Sequence, residues 1–350
     1  MKAARLVEIA QPLVIEDVPT PDPGPREAVV SVEYEGICRT DWHTWMGDWS
    51  WVGLAPPLPI TMGHEFSGTV QAIGNEVTRV KVGDRVAVPF HEACGVCAYC
   101  RAGRTNLCDA LEFLGMTHDG GYAEYVSVIN ADLNCVPLPE QVTFEAASAL
   151  GCRFMTAWHA LQHQAGLRAG EWLAVHGVGG IGLSGVQIAT ALGAGVVAVD
   201  IDDRKLEAAR AQGAAVTINA RRESVPEAVK DATGGGAHVA LGGLGAAELV
   251  RSALMGLRKG GRLVQVGLTS QAEQGIVGIP LDELIEAELT IIGSVGNPHI
   301  HLPPLLQLVA EKRLDPAGLV TERIPLDGAQ AVLERMTDFD TVGFALIDRF

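Results

Sequence analysis

The sequence lacks any run of about 18 apolar residues, the length that a helix needs to cross a bilayer. It also opens without the apolar core of a signal peptide, since residues 1–5 lead into a short alternating segment. We therefore expect a cytoplasmic protein without a membrane partner. Basic residues are scarce as well, because 26 Lys and Arg stand against 42 Asp and Glu and give a formal net charge of -16. The chain has no basic cluster, which argues against nucleic acid as a partner.

Cysteines are few and unevenly spaced. The chain has seven, of which four fall between Cys94 and Cys108. A secreted protein held by disulfides would distribute its cysteines more evenly along a shorter chain. In a reducing compartment, such a cluster is typical of metal ligands.

The length of 350 residues and the hydrophobic fraction of 48% are enough for two domains, each with its own core. In residues 1 to 150, short segments rich in Val, Ile and Thr are separated by Gly, Pro and Asp. This pattern predicts an irregular, barrel-like β domain. The predicted strands include 28–32, 68–73, 85–88 and 122–128.

Beyond residue 150 the pattern changes to apolar strands that alternate with amphipathic helices. The first of these are a strand at 172–176, a helix at 181–192, a strand at 196–200 and a helix at 204–211. Alternation of this kind predicts an α/β domain with a parallel sheet covered by helices on both faces. The last 55 or so residues contain a helix pattern at 305–314 and a strand pattern at 343–347. From the pattern alone, this segment could join either domain.

A candidate metal site begins at Cys38 and continues at His64 and Glu65. A thiolate, an imidazole and a carboxylate are common ligands of zinc. Thr40 and His43 lie close to Cys38 and add a hydroxyl and a second imidazole, which could carry a proton. We therefore interpret this region as a metal site with a proton path.

The four clustered cysteines indicate a second metal site. Their short spacing lets four thiolates converge on one tetrahedral zinc, and a closed four-thiolate site has no position left for substrate. Its role should therefore be structural. An iron–sulfur cluster would use the same ligands, although nothing else in the sequence indicates electron transfer. The four ligands are Cys94, Cys97, Cys100 and Cys108.

A glycine-rich loop between a predicted strand and a predicted helix has the spacing of a dinucleotide site. Its pattern is G-x-G-x-x-G, which brings a pyrophosphate close to backbone amides at a helix N-terminus. Asp200 ends the next predicted strand, eighteen residues after Gly182, where a carboxylate would bind a ribose and repel a 2′-phosphate. The loop therefore favours NAD over NADP. Its glycines are Gly177, Gly179, Gly180 and Gly182.

With these motifs in this order, the chain resembles the zinc-dependent medium-chain dehydrogenases, the alcohol dehydrogenase family, over essentially its whole length. The resemblance implies a GroES-like β-rich catalytic domain of residues 1–152 and 297–350, with the zinc lobe at about 90–110. It also implies a Rossmann domain, a doubly wound parallel sheet, of residues 153–296. The implied reaction is the zinc-dependent oxidation of an alcohol to an aldehyde or ketone, and its reverse, by hydride transfer to NAD. The implied assembly is a homodimer or homotetramer.

The same resemblance implies roles for single residues. Cys152 would be the third ligand of the catalytic zinc, and Glu65 would bind this zinc only in an exchange state. Thr40 would bind the alcohol oxygen, and His43 would pass the proton to solvent through the cofactor ribose. Asp41 would orient His64 from behind.

Further roles concern cofactor and substrate. Arg39 would contact the pyrophosphate, and Lys205 would lie near the adenosine ribose. Thr156, Gly267 and Leu268 would lie beside the nicotinamide. For the substrate pocket, Phe90 matches a family aromatic residue. Trp49 belongs to a cluster of four tryptophans, Trp42, Trp45, Trp49 and Trp51, that could line a pocket for a bulky alcohol or pack a cleft.

Two residues depart from the family pattern. Arg153 follows Cys152 where a small residue is common, and Phe344 stands where many relatives carry an arginine to the pyrophosphate. Two alternatives to alcohol oxidation also remain open. The chain could be an aldehyde or formaldehyde dehydrogenase acting on a thiol adduct, or a catalytically silent nucleotide-binding protein on the same fold.

Overall fold

A computed structural model describes residues 1–271 and 273–350. The strands in these residues are β1 Lys2–Leu6, β2 Val14–Asp17, β3 Ala28–Ile37, β4 Ile60–Thr61, β5 Phe66–Ile73, β6 Arg85–Ala87, β7 His91–Glu92, β8 Glu112–Phe113, β9 Tyr125–Val128, β10 Val136–Pro137, β11 Trp172–His176, β12 Gly195–Asp200, β13 Val216–Asn219, β14 Ala237–Gly242, β15 Leu257–Gln265, β16 Thr290–Gly293, β17 Val320–Pro325 and β18 Phe344–Arg349.

The α-helices in the same residues are α1 Arg39–Met46, α2 Ala98–Arg101, α3 Ala131–Asn134, α4 Phe144–Leu150, α5 Cys152–Trp158, α6 Gly180–Ala191, α7 Asp203–Ala211, α8 Val225–Thr233, α9 Ala247–Met255, α10 Leu281–Glu286, α11 Leu302–Ala310 and α12 Ala329–Thr337. Short 3₁₀ turns occupy Ser50–Val52, Thr105–Leu107, His299–His301, Pro316–Leu319 and Leu326–Gly328, and a π-helical turn occupies His159–Gln164. No helix in the described residues is both long enough and apolar enough to span a bilayer.

The chain divides into two compact units. The first contains Met1–Met155 and Gly296–Phe350, and the second contains Thr156–Val295. The resemblance places these boundaries after residues 152 and 296, whereas the contacts within the structure place them after Met155 and Val295.

The first unit is built around the long strand β3. In its main sheet the order is β10-β6-β5-β3-β18-β17, and β9 also pairs with β3. The C-terminal strand β18 runs antiparallel to β3, with Ala345 opposite Ile37. The last segment of the chain therefore pairs with β3, the strand that directly precedes Cys38.

Two apolar clusters hold the first unit together. One contains Val30, Phe66 and Val70 from β3 and β5, and all three are buried. The other contains Ile37 and Ile347, which join the end of β3 to the C-terminal strand. Because β3 contributes to both clusters, the residue that follows it is held on a rigid element.

The second unit has a six-stranded parallel sheet. Its order is β13-β12-β11-β14-β15-β16, so counting from β11 gives 3-2-1-4-5-6. This is the doubly wound arrangement expected from the alternating pattern, and the expectation is confirmed. In such sheets ligands bind outside the carboxyl ends of the strands where the order reverses, which here lies between β11 and β14.

Helix α11 begins and ends earlier than the sequence pattern predicts. The expected range is 305–314, whereas the helix spans Leu302–Ala310. Pro303 and Pro304 occupy its first turn, where a missing N–H costs no hydrogen bond. Lys312 has a left-handed φ of 57°, which prevents continuation of the helix.

Candidate active site

Four side chains expected at the catalytic metal site converge in the first unit. Cys38, His64, Glu65 and Cys152 each place one ligand atom within 4.8 Å of the others. All four are at most 9% exposed. Two sulfur atoms, one imidazole and one carboxylate are a donor set that suits zinc.

The orientation of His64 fits a metal ligand. Its Nδ1 lies 3.0 Å from Oδ1 of Asp41. Its Nε2 is buried and has no hydrogen-bond partner in the described part of the chain. A carboxylate on one ring nitrogen and an open position at the other is the usual arrangement of a zinc-bound histidine.

Asp41 also fixes the start of α1. Cys38 directly precedes this helix, and its backbone N–H donates to Oδ2 of Asp41 at 2.7 Å. One carboxylate therefore binds the N-cap residue Cys38 at the start of α1 and also orients the ring of His64. The two ligands are 26 residues apart in the sequence but share this one partner.

Glu35 holds the backbone of His64 and Glu65 by hydrogen bonds. Its Oε1 accepts the backbone N–H groups of His64 at 3.0 Å and Glu65 at 2.8 Å. The side chain is fully buried, and burial raises the pKa of its carboxyl well above the usual value. Glu35 therefore holds the backbone of two residues of the metal set.

Glu65 forms a buried ion pair with Arg153. Its Oε1 accepts the backbone N–H of Arg153 at 3.0 Å and the Nε–H at 3.1 Å. Its Oε2 accepts from Nη2 of the same residue. The guanidinium carbon of Arg153 lies 3.8 Å from the centre of the Phe344 ring. The two departures from the family pattern are therefore in contact.

The two cysteines of the set differ in their protonation. The hydrogen bond from Cys152 lowers the pKa of the Cys38 thiol well below its usual value, and the same contact raises the pKa of Cys152. Cys38 is therefore poised to be the thiolate, which is the form that binds a metal.

The four clustered cysteines also converge. One sulfur atom from each lies within 4.8 Å of the other three. Backbone N–H groups point at these sulfur atoms, as from Cys100 to Cys97 at 3.4 Å and from Ala110 to Cys108 at 3.4 Å. The hydrogen bond from the Cys100 amide lowers the pKa of Cys97 to about 6. Four converging sulfurs with amide donors suit a structural zinc.

A buried histidine ties this cysteine lobe to the C-terminal segment. The His299 backbone N–H donates to Oγ1 of Thr105 at 2.8 Å, and its ring Nε2 lies 2.9 Å from Oδ1 of Asn134. Thr105 lies between the third and fourth cysteines. The lobe is therefore fixed to the rest of the first unit by hydrogen bonds.

His43 has a partner that the sequence did not identify. Its Nδ1 lies 2.7 Å from Oδ2 of Asp48, and its ring stacks on Trp49 with centroids 4.3 Å apart. Burial lowers the pKa of His43, and the Asp48 hydrogen bond partly opposes that effect. The imidazole is therefore held in one orientation with Nε2 directed away from Asp48. Thr40 lies three residues earlier on α1, and this spacing places both residues on one side of the helix.

Arg39 is held within the first unit. Its guanidinium carbon lies 3.7 Å from the Trp42 ring centre and 4.3 Å from that of Phe339. Its Nη1 donates to the carbonyl of Met336. Burial lowers the pKa of Arg39 to about 10, so the side chain stays charged at neutral pH. A guanidinium has five N–H donors, so several remain for an anion.

Phe90 lies against a metal ligand. Its ring makes an edge contact with the His64 ring, with centroids 6.1 Å apart. It is 8% exposed and also stacks on Phe113. Phe90 thus borders the metal set, while Trp49 borders His43.

The glycine loop has the shape of an anion cradle. A Cβ on Gly182 would lie 2.0 Å from the carbonyl oxygen of Gly177, so this turn requires glycine. A Cβ on Gly179 would meet nothing within 4 Å, which leaves open space beside the N-terminus of α6. Gly180 is the first residue of that helix. Unpaired amides facing open space are suited to a pyrophosphate.

Asp200 closes the loop from the next strand. Its Oδ2 accepts the backbone N–H of Val178 at 2.7 Å, and its Oδ1 accepts those of Ile201 at 2.7 Å and Asp202 at 3.0 Å. The carboxylate therefore lies at the end of β12, directly beside the glycine loop. Lys205 lies on α7 and is 8% exposed.

The remaining predicted cofactor residues lie at other points of the second unit. A Cβ on Gly267 would lie 2.5 Å from the Gly243 carbonyl oxygen, so the segments after β14 and β15 pack closely. Leu268 is 59% exposed at this position. Thr156 is buried, and its Oγ1 has no hydrogen-bond partner among the described residues.

Sequence reasoning missed Glu35 and Asp48 and did not foresee the partner of Arg153. Glu35 could have been noticed as an acidic residue between the predicted strand 28–32 and Cys38. Asp48 follows His43 at a distance that a short turn can close. The pairing of Arg153 with Glu65 spans 88 residues and has no local signature.

Comparisons with known proteins identify the family of the chain. The family model described as the alcohol dehydrogenase GroES-like domain matches residues 24–140. The family model described as zinc-binding dehydrogenase matches residues 180–311. The first match covers the metal ligands Cys38 and His64 as well as the four-cysteine lobe, and the second includes Asp200.

Individual relatives cover nearly the whole chain. An alcohol dehydrogenase of Geobacillus stearothermophilus is 36% identical over 337 residues, which is 96% of each chain. An NAD-dependent alcohol dehydrogenase of Sulfurisphaera tokodaii is 34% identical over 98% of each chain. The solved structure of an alcohol dehydrogenase from a Thermus species covers 100% of both chains with a TM-score of 0.91 and 31% identity.

Proposed function

The chain belongs to the zinc-binding alcohol dehydrogenase family, and from this premise we propose how its own residues divide the reaction. The protein is an NAD-dependent zinc alcohol dehydrogenase, which converts an alcohol to an aldehyde or ketone and catalyses the reverse reaction. Its fold combines a GroES-like domain with a Rossmann domain. The residue roles below are our proposal.

Cys38, His64 and Cys152 would hold the catalytic zinc, and the four cysteines of the lobe would hold the structural zinc. Two sulfurs and one imidazole are three donors, one fewer than in a closed structural site, so a substrate oxygen would complete the catalytic set. Asp41 orients His64, and Glu35 fixes the backbone that carries it. When bound, zinc supplies a Lewis acid that acidifies an alcohol, and NAD supplies a hydride acceptor.

The protein moves the alcohol proton with Thr40 and His43. The Thr40 hydroxyl accepts a hydrogen bond from the substrate and passes the proton toward Nε2 of His43. Asp48 occupies Nδ1 of His43 and so fixes the tautomer that leaves Nε2 able to accept. Trp49 covers one face of the imidazole and limits its access to water. Together with Phe90, it shapes the pocket that receives the alcohol.

The second unit holds NAD through backbone atoms and a few side chains. The loop of Gly177, Gly179, Gly180 and Gly182 receives the pyrophosphate, and Asp200 and Lys205 receive the adenosine ribose. Thr156, Gly267 and Leu268 would border the nicotinamide, and the Arg39 guanidinium of the first unit has donors available for a phosphate. The open space beside Gly179 supports the placement of the pyrophosphate.

One observation supports the active-site proposal most directly. The Nε2 atom of His64 is buried without a partner in the described chain, while its Nδ1 faces Asp41 and two cysteine sulfurs lie close by. A buried imidazole nitrogen without a hydrogen bond is costly unless a metal binds it.

Zinc content and turnover test this proposal together. We expect wild-type protein to carry two zinc ions per chain, one for each cysteine-containing set, and to reduce NAD with primary, secondary or benzylic alcohols. Cys152→Ser should leave one zinc ion per chain and lower kcat/KM by more than about 100-fold, because a zinc ligand is lost. The zinc content per chain is measured by inductively coupled plasma mass spectrometry, and turnover is measured by the absorbance of NADH.

Cys135→Ser is the matched control, since Cys135 is buried but belongs to neither set. It should keep both zinc ions and near-normal turnover. The proposal would be refuted if Cys152→Ser kept two zinc ions and full activity. Activity that appeared only after addition of a thiol would instead support oxidation of a thiol adduct.

We also propose that the protein forms at least a dimer through the free edge of β16. This strand ends the parallel sheet and pairs with β15 alone among the described strands. Ile291 within it is 40% exposed, and Ile285 nearby in the sequence is 62% exposed. An apolar sheet edge favours pairing with a second copy.

A cytoplasmic location is likewise a proposal. All seven cysteines are free thiols in the structure, and six of them belong to the two metal sets. Free thiols poised to bind metal are preserved in a reducing compartment.

A further inference from the structure

The carboxylate of Glu65 lies close enough to the metal set to bind the metal, yet it is engaged elsewhere. One of its oxygens is within 4.8 Å of the ligand atoms of Cys38, His64 and Cys152. Both oxygens accept hydrogen bonds from Arg153, two at Oε1 and one at Oε2. A carboxylate oxygen offers about two lone-pair directions, so Oε1 is saturated and Oε2 retains one.

The pair is isolated from water. Glu65 is completely buried and Arg153 is 5% exposed. A buried charge without a partner is strongly destabilising, much more so than an unpaired charge at the surface. The Glu65 carboxylate therefore has two possible partners, the guanidinium and the metal.

The walls around Glu65 leave little room for other positions. A Cβ on Gly36 would lie 2.4 Å from Oε2 of Glu65, and a Cβ on Gly151 would lie 2.6 Å from its Cβ and Cγ. Both walls are glycine, so the carboxylate fits between them without space to spare.

Phe344 supports the guanidinium from its other side. The ring centre lies 3.8 Å from Cζ of Arg153, which is a favourable distance for a cation over an aromatic face. Phe344 begins β18, whose next residue, Ala345, lies opposite Ile37 at the end of β3. An aromatic ring supplies no strong acceptor, so it does not draw the guanidinium away from Glu65.

We propose that Arg153 is a positioning residue that holds Glu65 off the metal and thereby keeps the fourth coordination position open for the alcohol. This inference rests on the proposed zinc site at Cys38, His64 and Cys152. It gives a purpose to the arginine that follows the third ligand. Without this guanidinium, the buried Glu65 carboxylate would take the metal as its partner and compete with substrate.

Access to the fourth position can be measured without turnover. Cobalt replaces zinc in the purified full-length protein, and imidazole is titrated while the visible absorption of cobalt is recorded. We expect Arg153→Met to weaken imidazole binding by roughly 10–100-fold, the usual range for the loss of a residue behind a metal ligand. Arg153→Lys, which offers fewer donors, should weaken it in the same direction.

A second substitution identifies the competitor. In the double variant Arg153→Met with Glu65→Gln, the side chain at 65 is a neutral amide and a poor ligand, so imidazole affinity should return toward the wild-type value. Arg262→Met is the control, because Arg262 forms a half-buried ion pair with Glu171 at 2.8 Å in the second unit and belongs to neither metal set. It should leave the titration unchanged.

The outcomes separate this inference from the proposed function. If Arg153→Met does not fold, Arg153→Lys decides the question. Unchanged imidazole binding in the folded Arg153 variant, or no recovery with Glu65→Gln, would overturn the role of Arg153 while leaving the zinc site intact. If instead Cys152→Ser bound as much cobalt as the wild type, the zinc site itself would be wrong, and this inference would fall with it.

Discussion

At the scale of single residues, the pair of His43 and Asp48 determines how the proposed proton path responds to pH. Burial lowers the pKa of His43, while the hydrogen bond that its ring donates to Asp48 raises it, and the net result is a lowered pKa. Nearby Arg39 adds a further lowering effect. The neutral imidazole, which can accept a proton, therefore predominates down to a pH below its usual range.

Asp48→Asn should shift the acid limb of kcat/KM to lower pH. The substitution removes a carboxylate that raises the pKa of His43, so the imidazole stays neutral to a lower pH. An opposite charge at this distance is worth about one to three pH units, and partial exposure places the effect near the lower value. The pH profile of kcat/KM with a slow alcohol substrate measures the shift.

Two further variants test whether His43 is the group responsible for the acid limb of the pH profile. His43→Ala should remove it and lower the rate near neutral pH by about 100-fold, the smaller end of the effect of a general base. Asp132→Asn removes a carboxylate that binds the backbone of Thr78 and should leave the profile unchanged. An acid limb that shifted upward in Asp48→Asn would contradict the proposed electrostatics.

Residue types and spacing pointed to Cys38, His64 and the four clustered cysteines as metal ligands, whereas Cys152 was proposed only from the resemblance to the family. The same reasoning did not find Glu35 or the pairing of Arg153 with Glu65. Glu35 binds backbone N–H groups about 30 residues later, and Arg153 reaches back 88 residues. Such contacts depend on how β3, β5 and α5 pack, which local patterns do not encode.

At the scale of elements, two glycines in the loop between β11 and α6 have different roles. We expect Gly182 to be required for the fold and Gly179 to be required for cofactor binding. Gly182 is needed for the turn itself, since its Cβ would lie 2.0 Å from the Gly177 carbonyl oxygen. Gly179 has free space where a Cβ would stand. We therefore infer that glycine is needed at this position to leave space for the bound pyrophosphate and not for the fold.

Gly179→Ala should weaken NAD binding by roughly tenfold or more, because the new methyl group enters the space of the pyrophosphate. Its free energy of unfolding without NAD should change by less than about 0.5 kcal/mol. Gly182→Ala should instead destabilise the protein by about 1–3 kcal/mol, since the added methyl group overpacks the turn. Thermal unfolding with and without NAD measures both effects.

Equal loss of stability in the two variants would show that Gly179 has a structural role. Unchanged NAD affinity in Gly179→Ala would mean that the pyrophosphate lies elsewhere. Gly260→Ala offers no equivalent control, because its φ of 71° would strain any other residue. Gly278→Ala is the better control, since its Cβ would meet nothing within 4 Å and it lies outside the loop.

The alternation of apolar strands and amphipathic helices was enough to predict the parallel sheet and strand Trp172–His176. Element ends were less predictable. Residues 122–124 precede β9, because Tyr122 is fully buried and its backbone pairs with Met62 and Ala4 instead. The helix pattern at 305–314 did not include Pro303 and Pro304, which form the first turn of α11.

At the scale of the whole molecule, the proposed dimer contact lies at the edge of β16, which pairs with β15 alone among the described strands. A twofold axis at this edge would continue the sheet of one copy into the next. Ile291 within β16 is 40% exposed, and Leu281 and Ile285 on α10, the helix that precedes β16 in the chain, are 58% and 62% exposed. Backbone pairing together with this apolar surface favours a dimer.

Ile291→Lys should therefore convert the dimer to a monomer at micromolar concentration. A lysine on an edge strand places a charge where the second copy would pair, and a stable interface of about 1,200–2,000 Å² depends on its buried apolar centre. Light scattering after size-exclusion chromatography measures the mass. Val82→Lys is the matched control, because Val82 is 58% exposed in a turn of the first unit and far from this edge in the sequence. A wild-type chain that eluted as a monomer, or a mass that fell equally in both variants, would contradict pairing through β16.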